Sequence, residues 1–311
     1  GIDVYIKILR LDHISKHVFI LPGLFLAYLY YPENIITYSN IVIGFLSAII
    51  SASSNYVINE YLDKDFDKYH PLKNKRVLIG EGLNFKNILI YYICLVSLSL
   101  FLSSQVNYYF FITNILFIIS GIIYNVKPLR LKDRVYFDVL IESINNPIRL
   151  FLGWFMIIDN ISILIPISFL LFYWFSGGFL MSSKRLSEII FFEKFSNIKN
   201  LVKYRPSYKH YNKNNLTLAC IVYLMLVSFN SAIFLLKYRE ELILLYPIII
   251  LLFSAYFYLS IELPYKAVFP EKVYLNKYII ILTFFSFFLF FILFYFDLPL
   301  IENLIQKKVF S

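Results

Sequence analysis

Charge is scarce in this chain. Of 311 residues only 16% are Asp, Glu, Lys or Arg, while 59% are hydrophobic. A soluble domain of this length needs a large polar surface, and there is too little polar material to make one. Cysteine is nearly absent too: Cys94 and Cys220 are the only two. Both lie inside apolar runs, which reads as reduced packing residues rather than a disulfide framework or a metal site. Acids are also few, 20 against 29 basic residues, for a net charge of +9. Such a surplus could suit nucleic acid, but its placement along the chain argues against that partner.

What is present in quantity is apolar length. Hydrophobic runs near 20 residues match the helix needed to cross a hydrocarbon core of roughly 30 Å. Read against the charged interruptions, nine spans are expected, at roughly 17–33, 40–61, 86–105, 107–125, 136–158, 161–182, 215–237, 241–262 and 277–296. The expected fold class is all-α integral membrane, with residues 1–311 as a single transmembrane catalytic domain. Nearly all basic residues fall on alternate loops: three before the first span, six after the second, four after the fourth, eight after the sixth and three after the eighth. Lys237, Arg239, Lys307 and Lys308 fall on the other side, and Arg149 lies within a span. Basic loops stay cytoplasmic, which puts the N-terminus inside and the C-terminus outside.

The second span ends in a polar row. Asn59, Asp63 and Asp67 follow an i, i+4, i+8 spacing and share one helix face, and Asn55 extends the row one turn deeper. Stacked carboxylates near hydrocarbon are costly unless paired or metal-bound. One reading is a solvated helix end whose acids pair with Lys64, Lys68 and Lys73. The other is a Mg²⁺ site holding a diphosphate, with hard oxygen ligands beside the cationic cluster His70, Lys73, Lys75 and Arg76.

At these residues the chain resembles the UbiA superfamily of intramembrane prenyltransferases. The family's first motif, N-D-x-x-D-x-x-x-D, is matched by Asn59-Glu60-x-x-Asp63-x-x-x-Asp67, with Glu60 in place of Asp. The stretch after the fourth helix, Tyr-x-x-x-Pro-x-Arg-x-Lys, is matched by Tyr124 through Lys132, containing Lys127, Pro128 and Arg130. The resemblance implies nine helices in a UbiA-like bundle with a polar cavity facing the cytoplasm. Where family members carry a second acidic motif, this chain reads Ser182-Ser183-Lys184-Arg185-Leu186-Ser187-Glu188. Cations there suit a metal-free phosphate better than a second metal.

That substitution is similar to the decaprenyl-phosphate phosphoribosyltransferase branch. So are Arg10 through His17, the Asp67–Arg76 stretch with its His70-Pro71 pair, the Lys184-Arg185-x-x-Glu188 element, and Arg205 through Tyr211. The branch implies transfer of 5-phosphoribose from phosphoribosyl pyrophosphate to a polyprenyl phosphate, feeding cell-envelope polysaccharide synthesis at the plasma (inner) membrane. In that scheme Asn59, Asp63 and Asp67 hold Mg²⁺ on the pyrophosphate, and Lys73 and Arg76 neutralise the same group. Lys127, Arg130 and Lys132 take the sugar phosphate, while Lys184 and Arg185 take either phosphate. His70, Tyr124, Asn55 and Glu188 are expected in the substrate site, and Lys16 or His17 near the lipid head group.

Arg149 shares its span with Asp138, Glu142, Asn145 and Asn146. It is either half of a structural pair or, as preferred here, a cavity-facing phosphate ligand. His13 and His17 have the spacing of a metal pair without a third ligand. Gly177-Gly178 reads as a close helix contact. Two rivals remain open: prenyl transfer from a prenyl diphosphate to an aromatic or other small acceptor, and a transporter using the acids as an ion site. Transporters usually show inverted repeats, and none is found.

Overall fold

The computed structural model describes residues 2–33, 37–76 and 82–305, and every regular element among them is helical. In chain order these are α1 (Ile2–Ile8), α2 (Leu21–Tyr30), α3 (Tyr38–Asp67), α4 (Phe85–Ser104), α5 (Tyr108–Asn125), α6 (Phe137–Ser143), α7 (Asn145–Phe155), α8 (Ile167–Phe195) and α9 (Ile198–Tyr204). They continue with α10 (Lys213–Tyr238), α11 (Tyr246–Glu262), α12 (Pro264–Ala267), α13 (Pro270–Tyr274), α14 (Lys277–Tyr295) and α15 (Pro299–Ile305). Short 3-10 stretches occupy Leu11–Ile20, Leu131–Asp133, Pro206–Lys209 and Glu240–Leu245. Asparagine starts many of the helices. Asn84, Asn107, Asn197, Asn212 and Asn276 each accept a backbone N–H from the first turn of α4, α5, α9, α10 and α14.

Six of these segments are long and apolar enough to cross a membrane: α3, α4, α5, α10, Glu240–Glu262 and α14. The other three expected spans are helical but interrupted or diluted. The 17–33 stretch begins as a 3-10 segment and continues as the ten-residue α2. The 136–158 stretch breaks at Ile144 between α6 and α7. Pro147 has no N–H to offer the Ser143 carbonyl, so one continuous hydrogen-bond ladder is impossible there. Helix α8 has the length, at 29 residues, but Ser176, Gly177, Gly178, Ser182 and Ser183 dilute its apolar character. Lys307 and Lys308 lie outside the described residues.

The chain divides into two compact units. Unit 1 comprises Gly1–Ile165 and Phe195–Tyr211; unit 2 comprises Pro166–Lys194 and Asn212–Ser311. In unit 1, α3 is the axis, packing on α4 and α5, while α2 packs on α7. Its buried face is built of small residues, Gly44, Ser47, Ala48, Ser51, Ala52 and Ser54, which lets neighbours approach closely. A polar knot ties α3, α4 and α5. Ser51 donates to Asn114 Oδ1 at 2.6 Å, Ser99 donates to the Ser47 carbonyl at 2.8 Å, and Asn114 donates to Ser99 Oγ at 2.9 Å. All four side chains are fully buried. The α2–α7 contact is tighter still: a Cβ on Gly23 would lie 1.9 Å from the Leu150 carbonyl oxygen, and one on Gly153 would lie 2.1 Å from that of Ile20.

The core of unit 2 gathers Phe179, Cys220, Tyr256, Ala267, Val273 and Ile279. Gly178 lies against the Tyr223 ring, where a Cβ would come within 2.3 Å. This is the close contact expected of the Gly177-Gly178 pair. Both cysteines are free.

Candidate active site

The polar row expected at the end of the second span is at the end of α3. Its acids are buried: Glu60 is 3% exposed, Asp63 7% and Asp67 1%. Each is met by cations from a different part of unit 1. Arg10, ahead of the 3-10 segment Leu11–Ile20, donates to Glu60 at 2.7 Å. Arg130, between α5 and α6, donates to Asp63 at 2.8 Å, and Lys132 lies 2.5 Å from the same oxygen. Arg76, beyond α3, donates to Asp67 at 2.6 Å and approaches Glu60 at 3.6 Å. The solvated helix end considered from sequence, with Lys64, Lys68 and Lys73 as partners, is therefore not what forms: Lys64 stands over the Tyr61 ring, and Lys73, which does act electrostatically on Asp67, is itself buried.

Arg10 and Arg130 share a backbone peculiarity: both have positive φ, 53° and 32°. Non-glycine residues adopt that region at a cost. Here each places a guanidinium onto an α3 carboxylate. Arg130 is fixed further by Asp133 at 2.8 Å, the Asn125 carbonyl at 2.9 Å and the Phe66 ring face at 4.9 Å.

Asn59 donates to Asp63 Oδ2 at 3.1 Å and to Asn125 Oδ1 at 2.6 Å, and Lys132 also donates to Asn125 Oδ1 at 2.7 Å. Lys73, 5% exposed, donates to the Tyr204 hydroxyl at 2.5 Å, and fully buried His70 meets the Tyr204 ring edge-on at 4.8 Å. Arg205 is buried and acts electrostatically on both Asp63 and Lys132. Six cations (Arg10, Lys73, Arg76, Arg130, Lys132, Arg205) thus attend three buried carboxylates, with Asp12 and Asp133 at the rim pairing with Arg10 and Arg130, which leaves a surplus of one positive charge. An anionic ligand is the natural complement to that surplus.

Burial pushes the Lys132 ammonium down to about 8, against the opposing pull of Asp63. Burial would likewise lower Arg76, but the Asp67 and Glu60 carboxylates outweigh it and raise the guanidinium above its ordinary value.

Among the described residues, no three His, Cys, Asp or Glu side chains converge as a metal centre. The donor set still suits one hard cation. Buried Asp67 Oδ1 has no hydrogen-bond partner. Both hydrogen bonds of Asn59 leave through its nitrogen, so its amide oxygen is not committed to either. Carboxylate and amide oxygens are what Mg²⁺ takes.

Other expected residues are placed differently. Asn55 donates to the Phe117 carbonyl at 3.3 Å, and its oxygen presses on Gly121, where a Cβ would lie 2.1 Å away. Asn55 thus sits wedged between α3 and α5, with its buried Oδ1 accepting no hydrogen bond. Tyr124 donates to Glu142 at 3.1 Å, and Lys127 is exposed. Arg149 stands over the Phe117 ring at 5.4 Å, with buried His17 within its electrostatic reach. Lys16 lies 6.0 Å from the Tyr56 ring centre. In unit 2, Arg185 and Glu188 lie fully buried on α8, 3.6 Å apart, and Lys184 is half-buried beside them.

Several residues of this constellation carry no sequence assignment: Arg10, Glu60 as an anchor, Asn125, Tyr204 and Arg205. All but Tyr204 lie in motif-like stretches, which was the available signal. Tyr204 had none.

Residues 18–280 match the family model described as the UbiA prenyltransferase family. No curated protein matches the sequence. Among solved structures, the chain is similar to a UbiA homolog from Archaeoglobus fulgidus bound to GPP and Mg²⁺, at 18% identity and TM-score 0.61, covering 94% of this chain and 97% of that one. It is also similar to an apo UbiA homolog from Aeropyrum pernix K1, at 13% identity and TM-score 0.62, covering 89% and 98%. A structure of digeranylgeranylglyceryl phosphate synthase in membranes is similar at 17% identity and TM-score 0.63, covering 92% and 96%. At these identities the likeness is one of fold.

Proposed function

The chain belongs to the UbiA prenyltransferase family, and from that premise we propose that it transfers 5-phosphoribose from phosphoribosyl pyrophosphate to a polyprenyl phosphate, releasing pyrophosphate. The observation that carries this choice within the family is the Arg185–Glu188 pair. The one acid left at the position of the second acidic motif, Glu188, is fully buried beside Arg185 at 3.6 Å, which leaves no pair of carboxylates for a second metal, while Lys184 and Arg185 are cations of the kind a phosphate takes.

In this reading the lipid phosphate oxygen forms a bond to the anomeric carbon as the bond from that carbon to the pyrophosphate oxygen breaks. The electron pair leaves with pyrophosphate. The phosphate dianion is already a nucleophile, so no general base is needed. Mg²⁺ held by Asn59, Asp63 and Asp67 would supply charge neutralisation on the leaving group. The chain's own cations do the rest: Lys73 and Arg76 face the pyrophosphate, and Arg130 and Lys132 face the sugar phosphate. Catalysis is then positioning and charge compensation. The proposed setting is the plasma membrane, with nine crossings, the N-terminus and site cytoplasmic and the C-terminus outside, consistent with the basic loops. The product is suited to cell-envelope polysaccharide synthesis.

A second reading is prenyl transfer from a prenyl diphosphate to a small acceptor. It is favoured by the description of the family and by the GPP and Mg²⁺ bound in the A. fulgidus homolog. Mass spectrometry of lipid incubated with purified protein, Mg²⁺ and phosphoribosyl pyrophosphate separates the two. A polyprenyl phosphate heavier by one phosphoribosyl unit, absent with Asp63→Ala, is the expected result. Product only from a prenyl diphosphate and an aromatic acceptor would transfer the site to the second reading.

A further inference from the structure

Segment Phe195–Tyr211 belongs to unit 1, although the helices on either side of it, α8 and α10, belong largely to unit 2. It is pinned at two points. Tyr211 donates to fully buried Asp138 at 2.6 Å and accepts from the Tyr136 backbone N–H at 2.7 Å. Tyr204 is the other point. Its hydroxyl accepts from Lys73 Nζ at 2.5 Å while Nζ stands 4.8 Å from its ring centre. Those two distances put the ammonium beyond the phenol oxygen near the ring edge, so the contact is a charge-assisted hydrogen bond and not a face-on stack. The ring meets His70 edge-on, Arg205 lies 5.5 Å from the same ring, and Arg76 feels Tyr204 electrostatically.

A lysine carries four rotatable bonds, and an ammonium is a point charge without the planar fork of a guanidinium. Its value in a site depends on what fixes it. His70 and Lys73 sit on one turn, joined by the Lys73 N–H to His70 carbonyl bond at 3.0 Å, and Tyr204 touches both side chains. We propose that Tyr204 is the positioning residue for Lys73, and that it fixes the ammonium for the diphosphate group of the substrate. This inference rests on the assignment of Lys73 to the pyrophosphate made above, and it deepens that assignment by naming what orients the cation.

The test uses the full chain in detergent and Mg²⁺–pyrophosphate as the probe, with calorimetric affinities for wild type, Tyr204→Phe, Lys73→Met and the double variant. Phenylalanine keeps the ring against His70 and removes only the hydroxyl. The expected result is a loss of affinity of about tenfold to 150-fold for Tyr204→Phe, the scale of one hydrogen bond to a charged group. A larger loss is expected for Lys73→Met, with no further loss in the double variant and a melting temperature within about 2 °C of wild type for Tyr204→Phe. Multiplying losses, unchanged affinity in Tyr204→Phe, or a lowered melting temperature with unchanged affinity would each overturn the proposal. Pyrophosphate is a product of both candidate reactions. Coupling between Tyr204 and Lys73 without phosphoribosyl transfer would therefore remove the reaction assigned above and leave the positioning role intact.

Discussion

Asp63→Asn is the substitution whose consequences are best defined. The carboxylate has two buried cations on one oxygen, Arg130 at 2.8 Å and Lys132 at 2.5 Å, and the Asn59 amide on the other at 3.1 Å. The amide keeps the shape and removes the charge. Taking one partner from a buried ion pair typically costs about 3–5 kcal/mol. Here the lower half of that range applies, because Arg130 retains Asp133 at 2.8 Å. Lys132, already near 8 through burial, can also shed its proton.

Two consequences follow from that last point. With Asp63 gone, the Lys132 pKa falls below 8, further under its unfolded value of about 10.4. The unfolded chain then binds more protons between the new folded value and 8, so the deficit relative to wild type narrows as pH rises toward 8. In addition, Asp63→Asn/Lys132→Met should regain at least half of the lost stability, since neutrality is restored. Activity should not return. Pyrophosphate release should stay about 10²–10³-fold down in both variants, as for loss of one preorganised electrostatic group. Melting followed by tryptophan fluorescence in detergent from pH 6 to 8, alongside a pyrophosphate-release assay, reads both quantities. A double variant no more stable than Asp63→Asn, or one that recovers turnover, would refute the reasoning.

Asn114→Leu should cost about 1–3 kcal/mol by breaking the knot with Ser47, Ser51 and Ser99, given the size of interhelical hydrogen bonds in membranes. Turnover per folded molecule should be unchanged. Gly23→Ala should lower expression and melting temperature sharply, because the new Cβ meets the Leu150 carbonyl at 1.9 Å, whereas Gly82→Ala, with nothing within 4 Å, should be silent. Mn²⁺ with pyrophosphate should bind at one ion per chain and give an uncoupled electron paramagnetic resonance spectrum. A spin-coupled pair of ions would refute a one-metal site.

The helices were legible because apolar length and charged punctuation are local properties, and the α3 row was legible because i, i+4 spacing fixes a helix face. The break at Ile144 was equally visible in Pro147, yet apolar residues on both sides of it let the 136–158 stretch read as one span. What the sequence could not reveal was which cation meets which acid. Arg10 lies 50 residues from Glu60 and Arg130 lies 67 from Asp63, separations that only the packing of unit 1 closes. The packing of Asn55 was hidden for the same reason: the row extends to it, but Gly121, on another helix, leaves the gap that it fills. Tyr204 is one of 27 tyrosines, and no spacing singles it out.

The return of Phe195–Tyr211 to unit 1 sets an order of assembly during synthesis. The acids of α3 and the Arg76 loop leave the ribosome early, but Tyr204 lies 131 residues beyond Lys73. At about 5–20 residues per second, the row waits roughly 7–26 seconds for that partner. Through that interval Lys73 lacks its phenol, and Asp138, once made, waits for Tyr211. A nascent chain stalled before Tyr204 would therefore hold its carboxylates and most of their arginines in place, and would still lack the contact that fixes its lysine.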